Sequence, residues 1–259
     1  MTLALERLSI ELHDRCRKAC WFCYSHSGPE GAAAWQPDDV VALVRDCAAR
    51  GVAAVSFGGG EPLEYPGLFA VLTALRGRLY RSITTSGLDL DAQLDRLAAC
   101  APERVHVSIH APGNAGEVAR VLRQVAALRA AGIPSGVNLL VRASQLPDAR
   151  AAAAQLRAAG IGNDRIAYLP MRGQDTPTPA QLGAVAGGAP FQSMTCLAAC
   201  GKSPRFASLD SQGRAAWCSY TRTRAPLGSL TFDGLVRALA PLGVEPCARP
   251  PARARPLLP

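Results

Sequence analysis

Residues 7–24 read RLSIELHDRCRKACWFCY and join a strand-like apolar run directly to three closely spaced thiols. The run RLSIELH, residues 7–13, predicts a first β-strand. Cys16, Cys20 and Cys23 then follow with the spacing C-x3-C-x2-C. Sites in parallel α/β sheets collect at the carboxyl ends of the strands. The loop that carries the three thiols is therefore where we expect chemistry.

Strand-like and helix-like segments alternate regularly as far as residue 172. In the first helical segment, Val40, Val44 and Cys47 fall on one face, as a core-facing stripe does. Six β/α steps with short connections predict a parallel sheet with right-handed crossovers and helices outside. Because the later sequence lacks the two further units of a closed barrel, we predict an α/β fold, an open partial (β/α)6 TIM-like barrel. The predicted strands are 7–13, 52–58, 81–87, 104–110, 135–141 and 165–171, and the predicted helices are 37–50, 67–78, 89–100, 115–131 and 147–159.

Composition and charge exclude several classes of protein. With 259 residues, of which 49% are hydrophobic, the chain can bury a substantial core. No apolar stretch approaches the roughly 20 residues that span a bilayer, and we expect a cytoplasmic protein. In a reducing cytosol, nine cysteines indicate metal binding or catalysis rather than disulfides. The net charge of +8 is spread along the chain and aromatic residues make up 5%, so we expect no nucleic-acid partner.

The character of the sequence changes after Arg172. Residues 174–190 are rich in Gly, Pro and Thr, which is typical of a linker or a lid. Beyond them, RFASLDSQGRAAWCSY (205–220) predicts a β-hairpin that turns at residues 211–213. We therefore predict four parts: the barrel (1–173), the linker or lid (174–190), a small C-terminal α+β module (191–247) and a Pro- and Arg-rich tail (248–259).

The three thiols of the first loop suit one kind of metal centre best. A structural zinc site needs four closed ligands, commonly two C-x2-C pairs. Three thiolates in one loop can instead bind three irons of a cubane [4Fe-4S] cluster and leave the fourth iron open. An incomplete zinc site remains the alternative interpretation of Cys16, Cys20 and Cys23.

A second motif, GGGEP (58–62), follows the second predicted strand. By itself it could be an ordinary glycine-rich turn, and it lacks the Lys-Ser/Thr of a phosphate loop. Its position, one β/α unit after the cysteine loop, favours a functional interpretation.

These two motifs together resemble the radical S-adenosylmethionine (radical SAM) superfamily, and Phe22 matches the aromatic residue before the last cysteine of that family's C-x3-C-x-aromatic-C pattern. The resemblance implies a [4Fe-4S] cluster whose open iron is chelated by the methionine moiety of S-adenosylmethionine. It also implies that Gly59, Gly60 and Glu61 meet the methionine amino group.

Polar residues at the ends of later strands could line the same cavity, around ribose, carboxylate or substrate. Ordinary capping of strand ends explains them equally well, and Arg172 could pair with a carboxylate or lie on the surface. The further candidates for cofactor binding are Ser86, Ser108, His110, Asn138 and Arg142.

The remaining cysteines divide into two groups. Cys47 and Cys100 lie among apolar residues of predicted helices and are expected to pack in the core. The other group resembles the twitch appendage, the shortened SPASM extension, which implies an auxiliary Fe-S cluster; zinc is the alternative. Asp210 and Gly213 stand at the turn positions of that appendage, but the spacing C-x3-C departs from its commoner forms. The candidate ligands are Cys196, Cys200 and Cys218, with Cys247 as an open fourth choice.

The resemblance implies a radical SAM enzyme that cleaves S-adenosylmethionine to a 5'-deoxyadenosyl radical and removes hydrogen from a substrate. We expect a small molecule in natural-product or cofactor biosynthesis. The first alternative is a maturase that modifies or crosslinks a ribosomally made peptide, and the second is a non-enzymatic, zinc-stabilised binding protein. The expected partners are the small-molecule or peptide substrate and a flavodoxin- or ferredoxin-type reductant, without a membrane.

Overall fold

The computed structural model describes residues 4–188, 203 and 205–243. Six parallel strands lie side by side in chain order, each joined to the next by a connection that contains a helix. This arrangement confirms the predicted α/β class and all six predicted strands. The strands are β1 (Arg7–Glu11), β2 (Ala54–Gly58), β3 (Tyr80–Thr85), β4 (Arg104–Ile109), β5 (Ser135–Val141) and β6 (Ile166–Pro170).

The five predicted helices are present between these strands. Helix α1 buries the predicted Val40, Val44 and Cys47, and also Leu43, and a proline at its first position fits the fixed backbone angle of a helix start. Cys100 is buried as well, as predicted for core packing. The helices are α1 (Pro37–Ala49), α2 (Leu68–Ala74), α3 (Leu90–Cys100), α4 (Ala115–Ala130) and α5 (Leu146–Ala158).

The two faces of the sheet differ sharply in polarity. Leu8 and Ile10 of β1 are fully buried in the apolar core that the helices cover. Alternation along a strand places Ser9 and Glu11 on the opposite face. There Ser9 is in register with Ser56 of β2. The sheet therefore presents a polar inner face, toward which its carboxyl-end loops converge.

The predicted C-terminal hairpin is confirmed, and it continues the sheet of the barrel. Strands β7 (Phe206–Leu209) and β8 (Arg214–Ala216) are antiparallel, and β9 (Ala225–Pro226) follows β8. The carboxylate of Asp210 accepts the amides of Gln212 and Arg214, and Gly213 supplies the positive φ of +73° that the turn requires.

Strand β7 pairs in parallel with β1, which sequence reasoning did not predict. This pairing satisfies the backbone groups of β1 that would otherwise form an open sheet edge. Helix α7 (Phe232–Leu239) then packs on α1, where the Phe232 amide donates to Asp46 and Arg50 pairs with Asp233. The C-terminal segment is thus attached to the barrel through both the sheet and the helical layer.

The segment predicted as a linker or lid contains a helix, α6 (Pro179–Ala186), that packs against α5. Thr178 and Gln181 form a capping box, and Leu182 and Val185 are buried. The prolines and threonines that suggested a linker therefore begin a helix. The predicted domain boundaries stay predictions, and the predicted tail, 248–259, lies outside the described residues.

No helix in these described ranges is both long and apolar enough to cross a bilayer.

Candidate cofactor site

The loop between β1 and α1 carries the three thiols and folds back on itself. The Asp14 amide donates to the Ala33 carbonyl, and the Asp14 carboxylate accepts the Ala33 amide at 2.9 Å. The Cys16 amide donates to the Gly28 carbonyl at 2.9 Å. These bonds close the loop at the carboxyl end of β1, where the sequence predicted a site.

The three thiols of this loop lie partly buried and influence one another. Burial raises the pKa of Cys20 to about 11; Lys18 opposes this shift, while Cys23 and Cys16 add to it. Burial also raises the pKa of Cys16. In the described part of the chain, no three candidate ligands have already converged into a metal-binding group. The loop thus holds three thiols within electrostatic reach, as separate groups.

The GGGEP loop lies directly against the cysteine loop. The amide of Gly60 donates to the His13 carbonyl at 2.7 Å, and the amide of Glu61 donates to the Arg15 carbonyl at 2.9 Å. A side chain on Gly60 would place its Cβ 1.9 Å from the Arg15 carbonyl oxygen. Gly59 has a φ of +101°, and its Cβ would lie 2.6 Å from the Cα of Glu11. Both glycines are therefore required by the close approach of two backbones.

Glu61 is buried, and its carboxylate joins the ends of β2 and β3. It accepts hydrogen bonds from the Leu63 amide, the Thr85 hydroxyl and the Ser86 amide. Its backbone carbonyl lies 2.9 Å from Nε2 of His13. The side chain thus fixes the shape of the glycine loop, and its predicted contact with a methionine amino group stays a prediction.

At the end of β4, Lys18 of the cysteine loop reaches across to Glu117 at the start of α4, with 2.8 Å between the ammonium and the carboxylate. The same carboxylate oxygen accepts the His110 amide. Burial lowers the pKa of His110 to about 4, and Lys18 adds to this effect. The His110 ring also lies 5.9 Å from that of Phe22. The structure therefore brings together two predicted residues, His110 and Phe22.

The remaining predicted residues lie on β4, on β5 and in the loop after β5. Ser108 is buried and in register with Asn138, on neighbouring strands β4 and β5. Arg142 is paired with Asp175 at 2.9 Å, and its guanidinium lies 5.2 Å from the centre of the Trp21 ring. Arg142 thus links the loop after β5 to the cysteine loop, while Trp21 is largely exposed.

Several buried polar side-chain atoms have no hydrogen-bond partner among the described residues. Such orphaned groups are rare in folded proteins, and each calls for an explanation. Three belong to residues that the sequence singled out: the Ser86 hydroxyl, Nδ1 of His110 and Nε of Arg172. The others are Oε1 of Glu11, Nε of Arg104, the Ser208 hydroxyl and Nη1 of Arg224.

Glu11 and Arg224 were not predicted as site residues. For Glu11 the sequence held a signal: a carboxylate two positions after Ser9, on the face opposite Leu8 and Ile10. For Arg224 it held none, because this residue reaches the site only through the pairing of the hairpin with β1.

The second cysteine group is only partly described. Cys218 follows β8, is half-buried, and its sulfur lies 3.4 Å from the Tyr220 amide. Cys196, Cys200 and Cys247 lie outside the described residues. The auxiliary cluster and its ligands therefore stay predictions.

Comparison with known families and proteins gives consistent results. The family described as the Radical SAM superfamily matches residues 10–156, which is more than half of the chain. GTP 3',8-cyclase 2 of Mycobacterium tuberculosis is 34% identical over 150 residues, covering 52% of this chain and 42% of the relative. GTP 3',8-cyclase of Geobacter sulfurreducens is 30% identical over 149 residues, covering 52% and 46%. The chain spans less than half the length of these curated relatives.

Solved structures share the fold at low sequence identity. SuiB of Streptococcus suis bound to S-adenosylmethionine has a TM-score of 0.66 at 15% identity, covering 86% of this chain and 63% of that chain. SuiB bound to its precursor peptide SuiA has a TM-score of 0.70 at 15% identity, covering 90% and 65%. These similarities confirm the predicted TIM-like partial barrel.

Proposed function

Since the chain belongs to the Radical SAM superfamily, we propose that it reductively cleaves S-adenosylmethionine and uses the 5'-deoxyadenosyl radical to remove hydrogen from a small-molecule substrate in natural-product or cofactor biosynthesis. The superfamily implies a [4Fe-4S] cluster and S-adenosylmethionine as cofactors. When bound, the cluster supplies the electron that breaks the S–C5' bond of S-adenosylmethionine. The residues of this chain hold both groups, orient the substrate and exclude water.

The donors of the cysteine loop fit such a cluster. Cys16, Cys20 and Cys23 occupy one closed loop and influence one another electrostatically. Iron-sulfur clusters take thiolate ligands, and three of them leave one iron for another molecule. In this proposal the three cysteines are the ligands, and Lys18 offsets part of the negative charge that three thiolates bring.

One observation carries the proposal: the glycine motif is hydrogen-bonded to the cysteine loop through Gly60 to His13 and Glu61 to Arg15. These bonds join residues 47 and 46 positions apart, and only glycine at positions 59 and 60 leaves room for the neighbouring backbone. Their contact brings the proposed cluster ligands beside a narrow backbone surface at Gly59 and Gly60. In our proposal this surface binds the methionine part of S-adenosylmethionine.

The remaining inner-face residues support a bound nucleoside. The Ser86 hydroxyl and Nδ1 of His110 are buried without partners in the described ranges. The low pKa of His110 keeps its ring neutral at physiological pH, so one ring nitrogen can accept a hydrogen bond. We propose that Ser86, Ser108, His110 and Asn138 line the nucleoside, and that Arg142 with Phe22 borders it.

A second function is favoured by one observation, the similarity of the fold to SuiB bound to a precursor peptide. Maturation of a ribosomally made peptide would use the same radical chemistry on a larger substrate. We rank it second because the GTP 3',8-cyclases are the nearer in sequence, at 30–34% identity against 15%.

In either case, we propose an auxiliary Fe-S cluster held by Cys196, Cys200 and Cys218, with or without Cys247, and a flavodoxin- or ferredoxin-type reductant.

The test is anaerobic reconstitution of the full chain with iron and sulfide, followed by iron counting. Dithionite reduction with S-adenosylmethionine then shows, by mass spectrometry, whether 5'-deoxyadenosine forms. We expect about eight irons per chain and product formation. Changing Cys16, Cys20 and Cys23 to Ala should leave about four irons and no product. Cys47→Ala, which changes a buried cysteine of α1, is the matched control and should keep about eight irons and the formation of 5'-deoxyadenosine.

Two outcomes decide between the proposals. Zinc in place of iron, with no cleavage of S-adenosylmethionine, would overturn the enzyme and leave a zinc-stabilised binding protein. Cleavage with only about four irons in the wild type would retain the enzyme and remove the auxiliary cluster.

A further inference from the structure

Glu11 is the last residue of β1 and is almost fully buried, with a side chain that is 5% exposed. It lies on the inner face, in register with Gly58 and against the backbone of Gly59. Its Oε1 has no hydrogen-bond partner within the described part of the chain. A buried carboxylate oxygen without a partner is costly, so a polar group that it can bind is missing from the folded chain alone.

Arg224 faces this carboxylate from the C-terminal segment. It directly precedes β9 and its side chain is 10% exposed. One guanidinium nitrogen, Nη2, donates to the Ser219 carbonyl at 2.8 Å and lies 3.8 Å from Oε1 of Glu11, too far for a hydrogen bond. The other terminal nitrogen, Nη1, is buried and lacks a partner in the described ranges. An unused donor thus lies beside an unused acceptor.

Aromatic side chains border the two groups. Tyr24, next to the last cysteine of the loop, lies with its ring centre 4.9 Å from that of Tyr220 in the C-terminal segment, the two rings being tilted by 42°. Arg172, at the end of β6, lies 5.4 Å above the Tyr220 ring. The Tyr24 hydroxyl lies 3.9 Å from the Cβ position of Gly58. The carboxylate and the guanidinium are therefore next to both proposed cofactor loops, with the Tyr24 and Tyr220 rings nearby.

Within the described ranges, none of the charged side chains around Glu11 donates a hydrogen bond to its Oε1. The neighbouring Asp210 already accepts two amides and the Arg214 side chain, so Arg214 is engaged elsewhere. Burial raises the pKa of Glu11 to about 7; Arg224 opposes the shift. The charged and titratable groups that face Glu11 are Arg224, Asp210, Arg214, Asp14 and Tyr24.

We propose that Glu11 and Arg224 form the substrate-binding pair of this protein and that they bind an amide-type edge, in which an N–H donor stands beside a C=O acceptor. The carboxylate accepts the N–H and the guanidinium donates to the C=O, which satisfies both orphaned groups. The flanking rings suit a flat group of this kind. This inference rests on the proposed function and specifies its substrate class.

An amide-type edge has two sources that fit the relatives of this chain. The lactam of a guanine base offers it in a nucleotide, and the backbone or a side-chain amide offers it in a peptide. The shared chemistry is what the pair recognises, and the probes separate the sources. GTP represents the first source, and an N-acetylated dipeptide amide represents the second.

The experiment is equilibrium titration of the reconstituted full chain, with S-adenosylmethionine present, against each probe. We expect the wild type to bind at least one of them. Glu11→Gln, which exchanges an acceptor for a donor, and Arg224→Gln should each weaken binding by at least about tenfold. Arg214→Gln is the matched control, because it removes a neighbouring arginine that already bonds Asp210, and it should change the affinity less than about threefold. A melting curve of each variant verifies that it is folded.

Every outcome decides. Binding of GTP alone assigns a nucleotide substrate, and binding of the dipeptide alone assigns a peptide, each with sensitivity to both substitutions. A wild type that binds neither probe overturns the inference, as does binding that Glu11→Gln and Arg224→Gln leave unchanged. Titration does not require cleavage of S-adenosylmethionine, so a chain that binds a probe through this pair but forms no 5'-deoxyadenosine would overturn the proposed function instead.

Discussion

The ammonium of Lys18 lies 2.8 Å from a carboxylate oxygen of Glu117, 99 residues further along the chain. Both side chains are largely buried, at 17% and 10% exposure. Burial alone would raise the pKa of Glu117, but the hydrogen bonds from Lys18 and the His110 amide bring it below its usual value. The pair therefore attaches the cysteine loop to α4, and we expect it to stabilise the fold more than an exposed ion pair does.

We predict that Lys18→Met lowers the free energy of unfolding by about 2 kcal/mol, between the values typical of exposed and of buried ion pairs, because it leaves the Glu117 charge buried without its cation. Denaturant unfolding measures this loss. Arg50→Met, which breaks the exposed pair with Asp233, is the control and should cost less than about 1 kcal/mol. Equal losses in the two variants would contradict the special role of Lys18.

Gly60→Ala should disrupt the contact between the two motifs. Its Cβ would lie 1.9 Å from the Arg15 carbonyl oxygen, so the two backbones must separate. We expect a loss of about 1–3 kcal/mol in stability and at least about a tenfold loss of affinity for S-adenosylmethionine, measured by calorimetry. Gly28→Ala, in the cysteine loop that Gly60 contacts, adds a Cβ with no atom within 4 Å and should leave both quantities unchanged. Normal affinity in Gly60→Ala would refute the proposed role of this close approach.

Glu11→Gln should stabilise the chain at high pH. The folded state holds the pKa of Glu11 at about 7, against an ordinary value of 4.5. Between these values the unfolded chain releases a proton that the folded chain keeps, so the carboxylate costs stability increasingly as pH rises and its full cost is reached above pH 7. The variant should therefore match the wild type near pH 4.5 and exceed it by up to about 3 kcal/mol at pH 8.

Urea unfolding at pH 5, 6, 7 and 8 measures this difference. If Glu11 stabilised the fold, Glu11→Gln would lower the free energy of unfolding at every pH. A gap that does not widen between pH 5 and pH 8 would show that Glu11 is not held as a costly buried acid, and the case for a binding role would lose its electrostatic support.

Arg81→Met should destabilise the fold by about 3–5 kcal/mol. The Arg81 side chain is 1% exposed, on the helix-facing side of β3. It pairs with Glu103 and donates to the carbonyls of Leu72 and Ala101 at the ends of α2 and α3. Arg45→Met removes an exposed arginine that donates to one helix-end carbonyl and should cost less than about 1 kcal/mol. Denaturant unfolding compares the two, and similar costs would contradict this assignment.

The barrel could be predicted from the sequence because its signals are local. Apolar periodicity and short connections were enough to identify six strands and five helices, and parallel strands necessarily bring their carboxyl ends to one edge. The same logic predicted the loop of Cys16 and the motif of Gly60 at consecutive strand ends, and in the structure their backbones are hydrogen-bonded. Each of these residues needed only its position along a strand to be located.

What the sequence could not predict depends on partners far along the chain. The pairing of β7 with β1, and with it the position of Arg224, follows from an open sheet edge that no local pattern reveals. Helix α6 was missed because proline at a helix start gives the same signal as proline in a loop. The structural role of Arg81 was missed because it depends on carbonyls at the ends of α2 and α3, which no local sequence pattern shows.

The pairing of β7 with β1 also has a consequence for biosynthesis. A growing polypeptide finishes the hydrogen bonding of its first strand only after residues 206–209 have left the ribosome. Contacts of such long sequence separation form late, because the entropy of closing the long loop is lost before the new hydrogen bonds can offset it. The thiol loop that follows β1 therefore stays on an incompletely paired strand until these residues emerge. We expect iron to be inserted only after this pairing has formed, when β1 is hydrogen-bonded on both sides.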